Sequence, residues 1–129
     1  MKKFLVVSLF LFGAFLNAGV CAPSGTEPAT LPAALKSGLP VILKLGAGWC
    51  SPCKRLAPII KELQSERKGK EVYLDLDVYK NKDLASKYEV KLIPTIVFFD
   101  KHGKLKGKTE GFMDKMQLLK AVDELGLRN

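Results

Sequence analysis

Cys50 and Cys53 are separated only by Ser51 and Pro52, in the run Trp49-Cys50-Ser51-Pro52-Cys53-Lys54. A strand-like run, Val41 to Leu45, comes before it. Apolar residues at helical spacing, Leu56, Ile59, Ile60 and Leu63, come after it. This order puts Cys50 at the mouth of a helix that leaves a buried strand. Unpaired backbone N–H groups and the positive end of the helix dipole favour a thiolate there. Cys53 lies one turn further in, within reach of a disulfide with Cys50. The chemistry this pattern supports is thiol–disulfide exchange. It needs no metal and no organic cofactor, and none is expected. A zinc site would need a second cysteine pair, which is missing. The sole histidine, His102, falls in a turn far along the chain, so a copper site of two cysteines and a histidine is a weaker alternative.

Around this centre the chain has room for one domain of 129 residues. The formal charge is +8, but the basic residues are scattered among acids, as in Lys61-Glu62 and Lys80 to Asp83. No basic stripe is interleaved with aromatics, so nucleic-acid binding is not expected. Lys2-Lys3, the apolar run Phe4 to Leu16 and the small residues Ala18, Gly19 and Ala22 follow the order of a secretory signal. Residues 1–22 are therefore expected to be a signal peptide and residues 23–30 a linker. The domain is expected over 31–129. Cys21 leaves a second option, since a cysteine just after such a run is the lipid-anchored first residue of bacterial lipoproteins. Val20 and Ala18 fit a lipoprotein signal poorly. Ordinary secretion, a lipid anchor and an uncleaved anchor all stay open.

The elements that must position the cysteines read in order. A short helix runs from Leu31 to Ser37 with Pro32 in its first turn, and Gly38 ends it. Val41 to Leu45 is apolar on both faces except at Lys44, which predicts a central, parallel strand. The helix from about Cys50 to Arg67 carries Pro58 in its middle, a point of kinking. Val72 to Asp77 alternates and predicts a second parallel strand. Asn81 is a candidate cap for a short helix through Tyr88. Ile96 to Phe99, the turn Lys101-His102-Gly103 and Lys104 to Glu110 form a hairpin, broken by Gly111. Leu118, Leu119, Val122 and Leu125 mark the core face of a last helix, stopped by Gly126.

Taken together, these features resemble the thioredoxin family. The resemblance rests on Trp49-Cys50 to Cys53-Lys54 after a strand, Pro58 in the helix, Ile93-Pro94-Thr95, and the strand–turn–strand–Gly111–helix ending. It covers about residues 30–126. It implies an α/β thioredoxin fold, a central mixed sheet flanked by helices. It also implies roles. Cys50 would be the exposed nucleophile and Cys53 the buried resolving thiol, the two forming the redox disulfide. Pro94 would be a cis-proline facing it, and Ile93 would offer its backbone to an extended substrate segment. Trp49 would flank the site, unless it packs in the core, and Gly111 would leave room for the substrate. Ser51 and Pro52 would tune the potential.

Four positions depart from the family pattern. Lys44 stands where the family usually has a buried acid, and Asp75 aligns with the family's usual lysine. A charge-swapped pair beneath Cys53 is expected, because a lone buried lysine is costly. Asp75 could then take the proton role of the family's acid, or Lys44 could instead reach solvent. Gly46 replaces a usual aromatic and Ser51 a usual glycine.

The function implied is an extracytoplasmic thiol–disulfide oxidoreductase, a monomer, acting on protein disulfides and supplied by a membrane thiol donor. Ile93 before the proline and Pro52 resemble the reducing side of the family. A thiol oxidant or a cytochrome c maturation reductant is the alternative, although the short stretch Asp77 to Pro94 lacks the insertion usual in the latter. A redox-silent module would typically have lost one of the two cysteines.

Overall fold

The computed structural model describes residues 28–128. The expected signal peptide, Cys21 and most of the expected linker lie outside the described residues. The elements run α1 (Leu31–Leu35), β1 (Val41–Gly46), α2 (Ser51–Glu66), β2 (Val72–Asp77), α3 (Lys82–Lys87), β3 (Thr95–Phe99), β4 (Leu105–Glu110) and α4 (Lys115–Glu124). That is the order read from the sequence. The strands form one sheet in the order β2-β1-β3-β4. β1 is parallel to β2 and antiparallel to β3, and β3 is antiparallel to β4.

All six residues of β1 are buried, as befits a strand with a neighbour on each side and helices over both faces. Alternation along the strands sorts the side chains into two cores. Val41, Leu43, Leu45, Leu74, Val97 and Phe99 pack with Leu31 and Ala34 of α1 and with Tyr88 after α3. Ile42, Tyr73, Ile96 and Phe98 face the other way, against Leu56, Ile60 and Leu63 of α2 and Leu118 and Val122 of α4. Each large side chain so buried contributes about 1.5–3 kcal/mol of transfer free energy. The same alternation places Lys44 and Gly46 on the α2 side, beyond Ile42.

Local chemistry sets the ends of the elements. Pro58 stands on the exposed side of α2, which continues unbroken from Ser51 to Glu66. Gly126 ends α4 at a φ of +65°, where a side chain would be strained. Asp114 caps the start of α4 through a capping box with Gln117, a signature that the sequence carries but that the pattern of apolar residues does not show. Asn81 does occupy the N-cap of α3, but it does not cap it. Its side-chain amide instead donates to the Asp77 carbonyl, at 2.9 Å, and ties down the loop that leaves β2. β4, at the sheet edge, is mostly exposed and carries Lys106 and Lys108, which discourage pairing with another strand.

Candidate active site

β1 ends at Gly46, and Ala47 to Trp49 turn the chain into α2. Cys50 is the N-cap of that helix, and its Sγ accepts the backbone N–H of Cys53 at 3.3 Å. One of the orphan N–H groups of the first turn is thus aimed at the sulfur. Pro52 sits in the first turn, where its missing donor is not needed, and Ser51 is exposed beside it. Cys50 and Cys53 are joined as a disulfide with their Cα atoms 5.2 Å apart.

Cys50, expected to be exposed, is only 5 % exposed, against 1 % for Cys53. The reason is geometric: the cap position folds the Cys50 side chain over the first turn. Both cysteines then pack with Ala47, and Val78 and Ile93 lie against them. Cys50 Sγ is 3.7 Å from the Ile93 carbonyl oxygen. The Ile93–Pro94 peptide is cis. The Pro94 carbonyl accepts the Gly111 N–H at 2.8 Å. Gly111 has a φ of +96°, and a Cβ there would meet nothing within 4 Å. Glycine serves the backbone turn here, and the space beside it is open.

Trp49 is 68 % exposed and so does not pack in the core. Its ring lies 6.4 Å from that of Tyr79, in the loop after β2. Trp49, Tyr79, Lys82, Val90, Lys91 and Ile93 line a groove of about 500 Å³ beside the disulfide. Tyr79 carries no signal in the sequence. It is thirty residues from Trp49, and only the β1–β2 pairing brings the two loops together. On another part of the surface the Arg55 guanidinium stacks over the Phe112 ring at 4.3 Å.

Lys44 and Asp75 are paired in the parallel ladder between β1 and β2. Lys44 Nζ donates to both Asp75 oxygens, at 2.7 and 2.9 Å. The lysine side chain is 5 % exposed and the carboxylate 38 %. Lys44 therefore ends in a carboxylate that reaches the surface and does not reach solvent itself. His102 is far from the disulfide in the β3–β4 turn, where its N–H donates to Asp100.

The thioredoxin family profile matches residues 27–124. The chain belongs to the thioredoxin family. It is 40 % identical to a thioredoxin of Rickettsia felis over 90 residues, which is 70 % of this chain and 85 % of that protein. It is 44 % identical to a thioredoxin of Staphylococcus aureus over 78 residues, 60 % of this chain and 74 % of that one. Among solved structures, chloroplastic thioredoxin z superposes with a TM-score of 0.64 at 28 % identity, covering 73 % of this chain and 84 % of that one. The fold is thus a thioredoxin fold, and this member is a thiol–disulfide oxidoreductase with Cys50 and Cys53 as its cysteine pair. Like other thioredoxins, it acts on protein disulfides.

Proposed function

We propose that this thioredoxin works outside the cytoplasm and reduces disulfides of secreted proteins. The observation that carries this is the juxtaposition of Lys2-Lys3 and the apolar run Phe4–Leu16 with a cysteine pair flanked by Pro52 and Ile93. The first is a secretory pattern and the second a reducing one. A reductant on the far side of a membrane must be recharged, so a membrane thiol donor is its implied partner. Cys21 adds the option of a lipid anchor, and the domain acts as a monomer.

In the cycle, the Cys50 thiolate attacks a substrate disulfide and forms a mixed disulfide, and one substrate sulfur leaves. Cys53 then attacks Cys50 Sγ, the bond to the substrate breaks, and the second substrate thiol is released. Two electrons have passed from protein to substrate. The position of Cys50 at a helix N-terminus supports its role as the attacking group. The Ile93 carbonyl close to Cys50 and the groove beside Trp49 support an extended substrate segment lying along the cis-proline loop.

The test is the equilibrium of Cys50/Cys53 with glutathione buffers, paired with fractionation of cells that produce the full chain. A potential at or below about −230 mV and an extracytoplasmic protein are expected. A potential above about −150 mV would make it an oxidant. Retention in the cytoplasm would overturn the location. Cys50→Ser should lower insulin reduction at least about 10³-fold, since a nucleophile of this kind has no substitute.

A further inference from the structure

Lys44 and Cys53 border the same small space beside Gly46. The Cβ that Gly46 lacks would lie 3.0 Å from Cys53 Sγ and 3.0 Å from Lys44 Cε, the carbon that bears the ammonium. Glycine at this position is what lets the lysine stem and the sulfur share the space. A cavity of about 260 Å³ opens there. Four charged side chains border it: Lys44 from β1, Asp75 and Asp77 from β2, and Lys54 from α2. Lys54 is exposed. Asp77 Oδ1 accepts the N–H groups of Tyr79 and Lys80, which commits its charge to the loop. Asp75 is held by Lys44 and reaches the surface. Lys44 is the buried charge of the set, and its last carbon borders the space at Gly46 that Cys53 Sγ also borders.

We propose that Lys44 is a positioning residue for the resolving step, a fixed cation that favours the thiolate of Cys53. This rests on the reading of Cys53 as the resolving thiol. In the mixed disulfide the Cys53 thiolate attacks Cys50 Sγ. The Cys50–Cys53 bond forms, the Cys50–substrate bond breaks, and the substrate sulfur leaves as a thiolate that takes a proton from water. With Lys44 in place, a larger share of Cys53 enters this step as the thiolate. A stabilised thiolate also stabilises the reduced protein, so Lys44 makes the pair more oxidising than it would be without the cation. An opposite charge within about 4–6 Å commonly shifts the protonation balance by tenfold or more, and Asp75 offsets part of that.

The experiment is the glutathione equilibrium at pH 7, run on the wild type, Lys44→Met, Lys44→Arg and the double variant Lys44→Met/Asp75→Asn. Lys44→Met should become about tenfold more reducing, a fall of about 30 mV. Lys44→Arg, which keeps the charge, should stay with the wild type. An unchanged or more oxidising Lys44→Met overturns the proposal. Should that variant fail to fold, the double variant decides, because it replaces the pair by neutral groups. A potential below the wild type supports the proposal, and one equal or higher overturns it. Thiolate absorbance gives a direct second reading. In a Cys50→Ser background, adding Lys44→Met should raise the titration midpoint of Cys53 by about one pH unit, and no rise overturns the proposal. The wild-type potential itself tests the direction of electron flow, whereas the difference between variants tests Lys44, whatever that potential is.

Discussion

Two ion pairs share one face of the sheet and are built in opposite senses. Arg67 and Glu71 close the far end of α2, with Nε and Nη2 each on one carboxylate oxygen at 2.8 and 2.7 Å. There the acid is the buried partner, 0 % exposed against 17 % for the arginine. In the Lys44–Asp75 pair the base is buried, and the acid reaches the surface. Arg67 and Glu71 are four residues apart across the turn that leaves α2, and they anchor the connection into β2. Lys44 and Asp75 are brought together across two strands, at a cavity that the resolving cysteine also lines. The first pair is a structural clamp. The second puts an otherwise costly charge where it can act on a sulfur.

The difference can be broken experimentally, because removing the exposed partner of a pair strands the buried one. Arg67→Ala should have the largest effect, about 3–5 kcal/mol lost, because the Glu71 carboxylate is left buried and unpaired. Glu71→Ala should cost less, since Arg67 can turn toward water. For the second pair the order of acid and base reverses. Asp75→Ala should destabilise more than Lys44→Met, as it strands the buried ammonium. Denaturant unfolding of the four oxidised variants reads both orders, and matching orders in the two pairs would remove the distinction. Disulfide exchange should move only with the second pair.

Gly46→Ala sharpens the comparison further. The added methyl meets Cys53 Sγ, which the helix holds in place, and the lysine stem. A loss of about 1–3 kcal/mol is expected, together with a changed potential. Unchanged stability and potential would mean that the cavity has more room than its walls indicate. Asp114→Ala, remote from both pairs, should cost about 1 kcal/mol through loss of the α4 cap and leave exchange untouched.

Much of this was legible in the chain. Alternation gives β2 and helical spacing gives α2 and α4, while a continuous apolar run, turn residues and cap candidates give the rest. Lys44 stands out as one charge in an apolar strand; its partner Asp75 comes from the resemblance to the family, and the parallel register of the two strands brings them together. What stayed hidden depends on the third dimension. That Gly46 shares its space with Cys53 and Lys44 follows from how α2 sits on β1, which no spacing reveals. The burial of Cys50 follows from its cap geometry and from the Ile93 loop folding over it. The Trp49–Tyr79 pair joins two loops whose separation in sequence carries no signal. Asn81 misled because an amide at an N-cap can turn either way, and a nearby carbonyl was the better partner. Asp114 and Gln117 were readable, since the capping box is a spacing rule.

A third cluster supplies the contrast that a surface network should give. Lys115 Nζ reaches Glu62 and Glu66 at 2.8 Å each, joining α4 to α2 at the surface. The hydrogen bond from Lys115, then its charge, holds the Glu62 carboxyl below its ordinary range. A carboxyl lowered in the folded state contributes stability that is fully present above its unfolded value, near 4.5. That contribution is lost as the pH falls through the lowered value. Lys115→Ala should therefore have a smaller effect than any of the other substitutions, a slight fall in Tm at neutral pH that disappears in acid. It should also disappear in 1 M salt, where the screening length shrinks to about 3 Å. The potential shift caused by Lys44→Met should survive the same salt, because Lys44 is buried and its charge is not screened by ions that cannot reach it. A shift that faded in salt along with the Lys115 effect would place the Lys44 ammonium in water after all.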